Sequence, residues 1–164
     1  MSQMNTFLKD NYDMKSFSHV PLTTQLPDLK TESIKGKRFY VTPEGKKYPS
    51  ITTVLSGRNN EGLVRWRESV GNDVANNIMR TAAKRGTAVH TLVENYLNNE
   101  ELSRQDVLPT ALFTLLKPEL DNINNIRIQE GGLYSDYYGV AGRVDCIADY
   151  KGVLSVIDFK TSTK

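Results

Sequence analysis

The apolar positions of this chain change their period partway along. Val89, Leu92, Val93, Tyr96 and Leu97 recur at spacings of three and four, which predicts a helix with one buried stripe. From Val140 to Asp149 and from Val153 to Lys160 the chain is instead rich in Val, Ile, Leu and Phe, and Tyr150-Lys151-Gly152 interrupts it as a turn would. These two runs read as a β-hairpin. Its second strand, with apolar residues on both faces around Val156 and Phe159, reads as a central strand covered on both sides.

Helices are predicted over about Glu61 to Met79, Thr81 to Leu97 and Arg104 to Ile123, the last with Pro109 near its first turns and Pro118 as a kink. Ahead of them, Arg38 to Val41 and Ser50 to Leu55 read as short extended pieces around a Pro43-Glu44-Gly45 turn. Behind them come a strand over Arg127 to Tyr134 and the hairpin. Helices followed by a sheet predict an α+β or mixed α/β domain over residues 32–164. Residues 1–31, polar and without period, are expected to form a flexible N-terminal arm.

The length of 164 residues suits one domain with a real core, and no apolar run approaches a membrane span. Met1 to Val20 holds Asp10 and Asp13, no Arg and no long apolar stretch, so a secretory or mitochondrial leader is not expected there. An intracellular, cytoplasmic protein with no membrane partner is the expectation. A single cysteine, Cys146, excludes an internal disulfide and a cysteine-ligated iron-sulfur cluster, and reads as a small buried hydrophobe. Net charge is only +2, but Lys30 to His90 holds 12 Lys or Arg against 5 Asp or Glu, while Thr91 to Lys164 holds 7 against 11. A basic front half beside an acidic rear half suits an enzyme acting on a polyanion.

The hairpin carries the candidate chemistry. With a turn centred on Lys151 and Gly152, antiparallel pairing sets Asp145 opposite Asp158, with facing Cβ atoms roughly 4.5 to 5.5 Å apart. Two facing carboxylates repel unless a cation sits between them, and hard oxygen ligands suit Mg²⁺, which also takes substrate phosphates. Lys160 shares a strand face with Asp158, so its ammonium would lie beside the metal. Ordinary solvent-face charges on an alternating strand are the plain alternative, since Asp-x-Lys alone is common.

On the helix before it, His90 and Glu94 are four residues apart and stack on one flank of the apolar stripe, within reach of that sheet edge. Gly86, one turn earlier, would let a backbone approach closely. A packed histidine satisfied by one hydrogen bond is the alternative for His90.

Four pieces of this chain, in order, resemble the PD-(D/E)XK nuclease superfamily and within it the RecB-like exonucleases, among them mitochondrial and phage enzymes. They are Tyr48-Pro49-Ser50-Ile51-Thr52-Thr53-Val54-Leu55, Arg85-Gly86-Thr87-Ala88-Val89-His90 with Glu94, Gly142-Arg143-Val144-Asp145, and Ile157-Asp158-Phe159-Lys160-Thr161-Ser162. The resemblance implies a restriction-endonuclease-like core in which helices precede a central mixed sheet. It further implies that Asp145, Asp158 and His90 ligate Mg²⁺ or Mn²⁺, that the Phe159 carbonyl completes the shell, and that Lys160 orients the attacking water. Glu130, on the strand before the hairpin, is a secondary acidic candidate beside Glu94.

Lys84 and Arg85 would favour phosphate contact, as would the hydroxyls of Ser50, Thr52 and Thr53 and the neighbouring Thr87. Trp66 aligns with Leu63, Val70 and Val74 as core, with stacking on an unpaired base as its alternative. The implied activity is metal-dependent hydrolysis of DNA, as an exonuclease preferring single strands with a free end, in replication, repair or recombination. A weakly active or inactive DNA-binding fragment and a structure-specific endonuclease are the alternatives. Such nucleases continue past Asp-x-Lys into further strands and a helix, so a C-terminally truncated core is expected, with that segment or a helicase as a separate partner.

Overall fold

A computed structural model describes residues 15–57 and 61–161. In chain order the elements are β1 (Lys30–Ile34), β2 (Lys37–Val41), β3 (Lys47–Pro49), α1 (Ile51–Ser56), α2 (Glu61–Val70), α3 (Asn72–Leu97), α4 (Val107–Leu120), β4 (Ile123–Ser135), β5 (Val140–Tyr150) and β6 (Val153–Ile157). Two units are distinct. One joins the segment up to Pro21 with Ala82–Arg127 and the chain from Ile147; the other joins Leu22–Thr81 with Ile128–Cys146.

In the second of these, β1, β2 and β3 form an antiparallel meander, with Ile34 paired to Lys37 and Phe39 to Pro49. Lys35 and Gly36, at φ 50° and 73°, supply the two left-handed residues that a tight hairpin turn demands. The expected Pro43-Glu44-Gly45 turn closes through Thr42 N–H donating to the Lys46 carbonyl at 2.9 Å.

Three expectations fail here. Ser50 to Leu55 is not extended. Ser50, with ψ 148°, caps α1 by accepting the Thr53 N–H at 3.0 Å, and that cap overrides the β-branched run Ile51-Thr52-Thr53-Val54. The helix break also falls elsewhere than near Arg80. It lies at Gly71, whose φ of 84° ends α2 while its N–H bonds the Arg67 carbonyl at 2.9 Å, so α3 begins at Asn72 and runs 26 residues. Trp66 is half-buried on a helix that buries none of its residues, with Leu63 and Val74 exposed, so the core stripe expected around it does not form.

In the other unit the predicted stripe is real: Val89, Leu92, Val93, Tyr96 and Leu97 are all buried. Tyr96 is its centre, meeting Phe17 and Phe113 edge-on at 5.0 and 5.5 Å. Its hydroxyl donates to Asp121 Oδ1 at 2.6 Å, and Lys117 donates to Oδ2 at 2.9 Å. Pro109 enters α4 in its first turn, where a missing N–H costs nothing, and Pro118 sits in the last turn, so the helix runs only to Leu120. Residues 1–14 of the expected arm lie outside the described residues. From Lys15 onward the chain is tied down: Phe17 exchanges hydrogen bonds with the Asn99 side chain at 2.7 and 2.9 Å, and Lys15 donates to the Ile123 carbonyl at 2.9 Å.

β4, β5 and β6 form the second three-stranded sheet, in that order. Lys151 and Gly152, at φ 50° and 81°, make the predicted turn between β5 and β6. The strand after it is shorter than expected, stopping at Ile157 before Asp158. It is also an edge rather than a covered centre, since Val153, Leu154 and Val156 are exposed. The class is α+β, but among the described residues two antiparallel sheets stand where one central mixed sheet was expected, and parallel pairing is confined there to the isolated bridges His19–Ile126 and Ser50–Ala141.

Candidate metal centre

α3 brings His90 beside its buried stripe, half-buried next to Val89. His90 Nε2 lies 2.9 Å from the carbonyl oxygen of Phe159, and the two rings meet edge-on at 6.1 Å. Phe159 itself is buried, so the backbone after β6 is held against the helix by its own side chain. A Cβ built on Gly86 would stand 3.5 Å from Thr161 Oγ1, an ordinary contact. Thr161 thus lies beside this turn of α3, but nothing there forces a glycine. Ser162, the last residue of the fourth motif, lies outside the described residues.

Glu130 sits on β4 at φ 48°, a left-handed conformation that a glutamate rarely adopts. Gly131 follows, and a Cβ there would fall 2.3 Å from Ile128 Cγ2, so a side chain next to Glu130 would force Ile128 to shift. Arg143 Nη1 lies 4.0 Å from the Glu130 carboxylate, at the limit of an ion pair. Asp145 is half-buried on β5 beside the fully buried Cys146, whose thiol is pushed up to about 11 by burial and then by the Asp145 charge. Cys146 is the small buried hydrophobe expected.

His90, Glu130 and Asp145 each offer one ligand atom, and these atoms lie within 4.8 Å of one another. The donor set is one imidazole nitrogen and two carboxylate oxygens. Carboxylates suit Mg²⁺ and Mn²⁺, and an imidazole shifts the preference toward Mn²⁺ and later metals. The set therefore fits a divalent cation, and it includes Glu130, the secondary acidic candidate.

Asp158 and Lys160 are placed differently from expectation. Both follow the end of β6, and Lys160 donates to Asp158 Oδ1 at 2.7 Å in a pair that is largely exposed. Asp158 is not one of the three clustered donors, and neither is Glu94, which is half-buried on α3. Sequence periodicity could not have promoted Glu130 above these, because its placement depends on the left-handed backbone at one position.

The polar candidates divide by exposure. Lys84 and Thr87 are exposed on α3 and Arg85 is half-buried, with the Thr87 hydroxyl donating to the Ala83 carbonyl at 3.1 Å. Ser50 is buried and its hydroxyl works within the α1 cap, bonding Thr52 and Thr53 at 2.9 and 2.8 Å. Thr53 in turn donates to the Arg38 carbonyl at 3.1 Å. These hydroxyls hold the start of α1 together.

Fold and donors define an α+β protein with a His/Glu/Asp cluster able to take a divalent cation. No protein-family model matches the chain. Over 127 residues, 71% of this chain, it is 26% identical to the human Mitochondrial genome maintenance exonuclease 1. The mouse protein of the same name is 27% identical over 126 residues. The chain spans 37% of the length of each of these curated relatives. This is a distant homology to an exonuclease. No helix of the described residues is long and apolar enough to cross a membrane.

Proposed function

We propose that this chain is the core of a metal-dependent deoxyribonuclease of the PD-(D/E)XK type, hydrolysing DNA phosphodiester bonds from a free end of a single strand. The observation that carries the reading is the donor cluster His90, Glu130 and Asp145, on a chain distantly homologous to an exonuclease. When bound, Mg²⁺ or Mn²⁺ would lower the pKa of a water and offset the charge of the phosphate.

The residues of the chain take the remaining roles. His90, Glu130 and Asp145 would hold the cation, and the Phe159 carbonyl would orient His90. Lys160, on an exposed and weakly held pair, can leave Asp158 for a phosphate oxygen or for the water, and Asp158 can then accept from that water or join the cation. Lys84 and Arg85 meet the phosphate backbone. Thr52 and Thr53 order the start of α1 through the Ser50 cap, and Trp66, half-buried, keeps a face for a base.

A second reading, a DNA-binding fragment with little turnover, is favoured by one observation: Asp158 stands outside the donor cluster. One assay separates the two. The chain is incubated with end-labelled linear and circular single-stranded DNA, with Mn²⁺, Mg²⁺ or EDTA. Release of labelled nucleotides from the linear strand alone, and only with metal, is the result expected. Binding without cleavage leaves the second reading, and cleavage in EDTA removes the metal centre.

A further inference from the structure

The β4–β5 hairpin turns through Asp136, Tyr137, Tyr138 and Gly139, and its two tyrosines are 89% and 75% exposed. Turn chemistry asks for the residues at either side of them, an aspartate and a glycine at φ 60°, but not for two aromatic rings. The rings are not loose. They meet at 4.8 Å and 84°, Tyr138 N–H donates to Ser135 Oγ at 3.2 Å, and Asp136 accepts from both Lys46 and the Tyr48 hydroxyl. Tyr48 also stacks on Tyr134 at 6.1 Å, which fixes the root of the turn against β3.

That neighbourhood is basic. Lys30 to Lys47 carries six Lys or Arg against two acids. Lys46 and Lys47 are paired with Asp136 and Glu32, whereas Lys30, Lys35, Lys37 and Arg38 are exposed and enter no ion pair among the described residues. Rigid exposed aromatic faces beside unpaired cations match single-stranded nucleic acid, whose bases stack on any π-face while its phosphates seek positive charge.

We propose that Tyr137 and Tyr138 form a stacking platform for unpaired bases of single-stranded DNA, with the cations of β1 and β2 flanking its backbone. This rests on the nuclease reading and names where that substrate is held away from the cleaved bond. Along β5, seven residues separate Tyr138 from Asp145, which at roughly 3.3 Å per residue is on the order of 20 Å. The platform therefore grips bases several nucleotides from the candidate metal centre.

The test is binding in Ca²⁺ of fluorescent oligothymidylate, an abasic oligomer of equal length, and blunt duplex, to the whole chain and to Tyr137→Ala/Tyr138→Ala. The wild type should prefer oligothymidylate to the abasic strand. The double alanine variant should bind oligothymidylate about ten-fold or more weakly and lose that preference, as deletion of stacking contacts does. Tyr137→Phe/Tyr138→Phe, which keeps both faces, should restore both. An unchanged affinity of the alanine variant overturns the platform, as does an equal loss on duplex and single strand. If the wild-type chain binds none of the three, the nuclease reading falls first and the platform with it; circular dichroism melts confirm that each variant is folded.

Discussion

His90 Nε2 and the carbonyl oxygen of Phe159 stand 2.9 Å apart, a hydrogen-bond distance that is also about the edge of an Mg²⁺ octahedron with bonds of 2.0–2.1 Å. The same pair can thus be a bonded donor and acceptor without metal, or neighbours in one shell with it. In either case His90→Ala should lower Mn²⁺ affinity by about ten-fold or more, the loss typical of a ligand or its orienting partner. DNA affinity measured in Ca²⁺ should change much less, because Lys84 and Arg85, the residues proposed to meet phosphate, lie earlier on α3. Mn²⁺ calorimetry that cannot tell mutant from wild type would return His90 to a packed histidine.

The aromatic centre of the first unit gives a stability prediction. Phe113 is fully buried against Tyr96, so Phe113→Ala should cost about 3–5 kcal/mol through lost burial and the cavity left behind. A urea midpoint lowered at constant slope is the expected readout, and a shift smaller than that of an exposed control such as Leu115→Ala would show that this core is not cooperative.

Helix periodicity made the stripe from Val89 to Leu97 legible, because one face of α3 meets a core along its second half. It failed at Gly71, where the pattern runs on into α3 and only the left-handed φ reveals the break. It failed again after Ile157, since Asp158-Phe159-Lys160 alternates like a strand but gives its backbone oxygen to His90 instead of a ladder. Of the site, His90 and Asp145 were readable as motif residues. Glu130 was readable only as a secondary acid, because a left-handed backbone at one position, unlike a period, leaves no mark beyond the glycines that follow it.

Acid should loosen the start of β4. Asp149 accepts from the Asn125 side chain at 2.8 Å and from Arg127 at 2.7 Å, and these two, in that order, hold its carboxyl below the usual 3.8. A depressed folded value means that the contribution is present above 3.8 and is lost as pH falls through 3.8 and then through the folded value. Asp149→Asn should therefore melt lower than wild type at pH 7 and converge with it at the lowest pH. Parallel melting curves across that window would show that the cluster is energetically idle.

Arg85 is half-buried at the centre of α3, five residues before His90. If it meets a phosphate, Arg85→Ala should weaken DNA binding and reduce the slope of log affinity against log salt by about one. A weaker affinity with an unaltered slope would mean that Arg85 acts through packing and not through charge.

Asp158 and Lys160 form an exposed pair 2.7 Å apart at the end of β6, and exposed pairs of this kind contribute little to stability. Any conserved melting temperature with lost turnover must then reflect chemistry. Lys160→Ala removes the one ammonium on this segment of the described residues and should reduce turnover about 10²-fold or more, as loss of a group aimed at developing charge does. Asp158→Asn leaves the shape of the pair but removes its charge, so it should spare folding and DNA affinity while cutting turnover similarly. Metal affinity then decides what Asp158 does. A large loss of Mn²⁺ binding in Asp158→Asn would mean that it swings into the donor cluster, and unchanged binding with slow turnover would mean that it acts on the water. Full turnover by either variant would leave His90, Glu130 and Asp145 without the partners that hydrolysis requires.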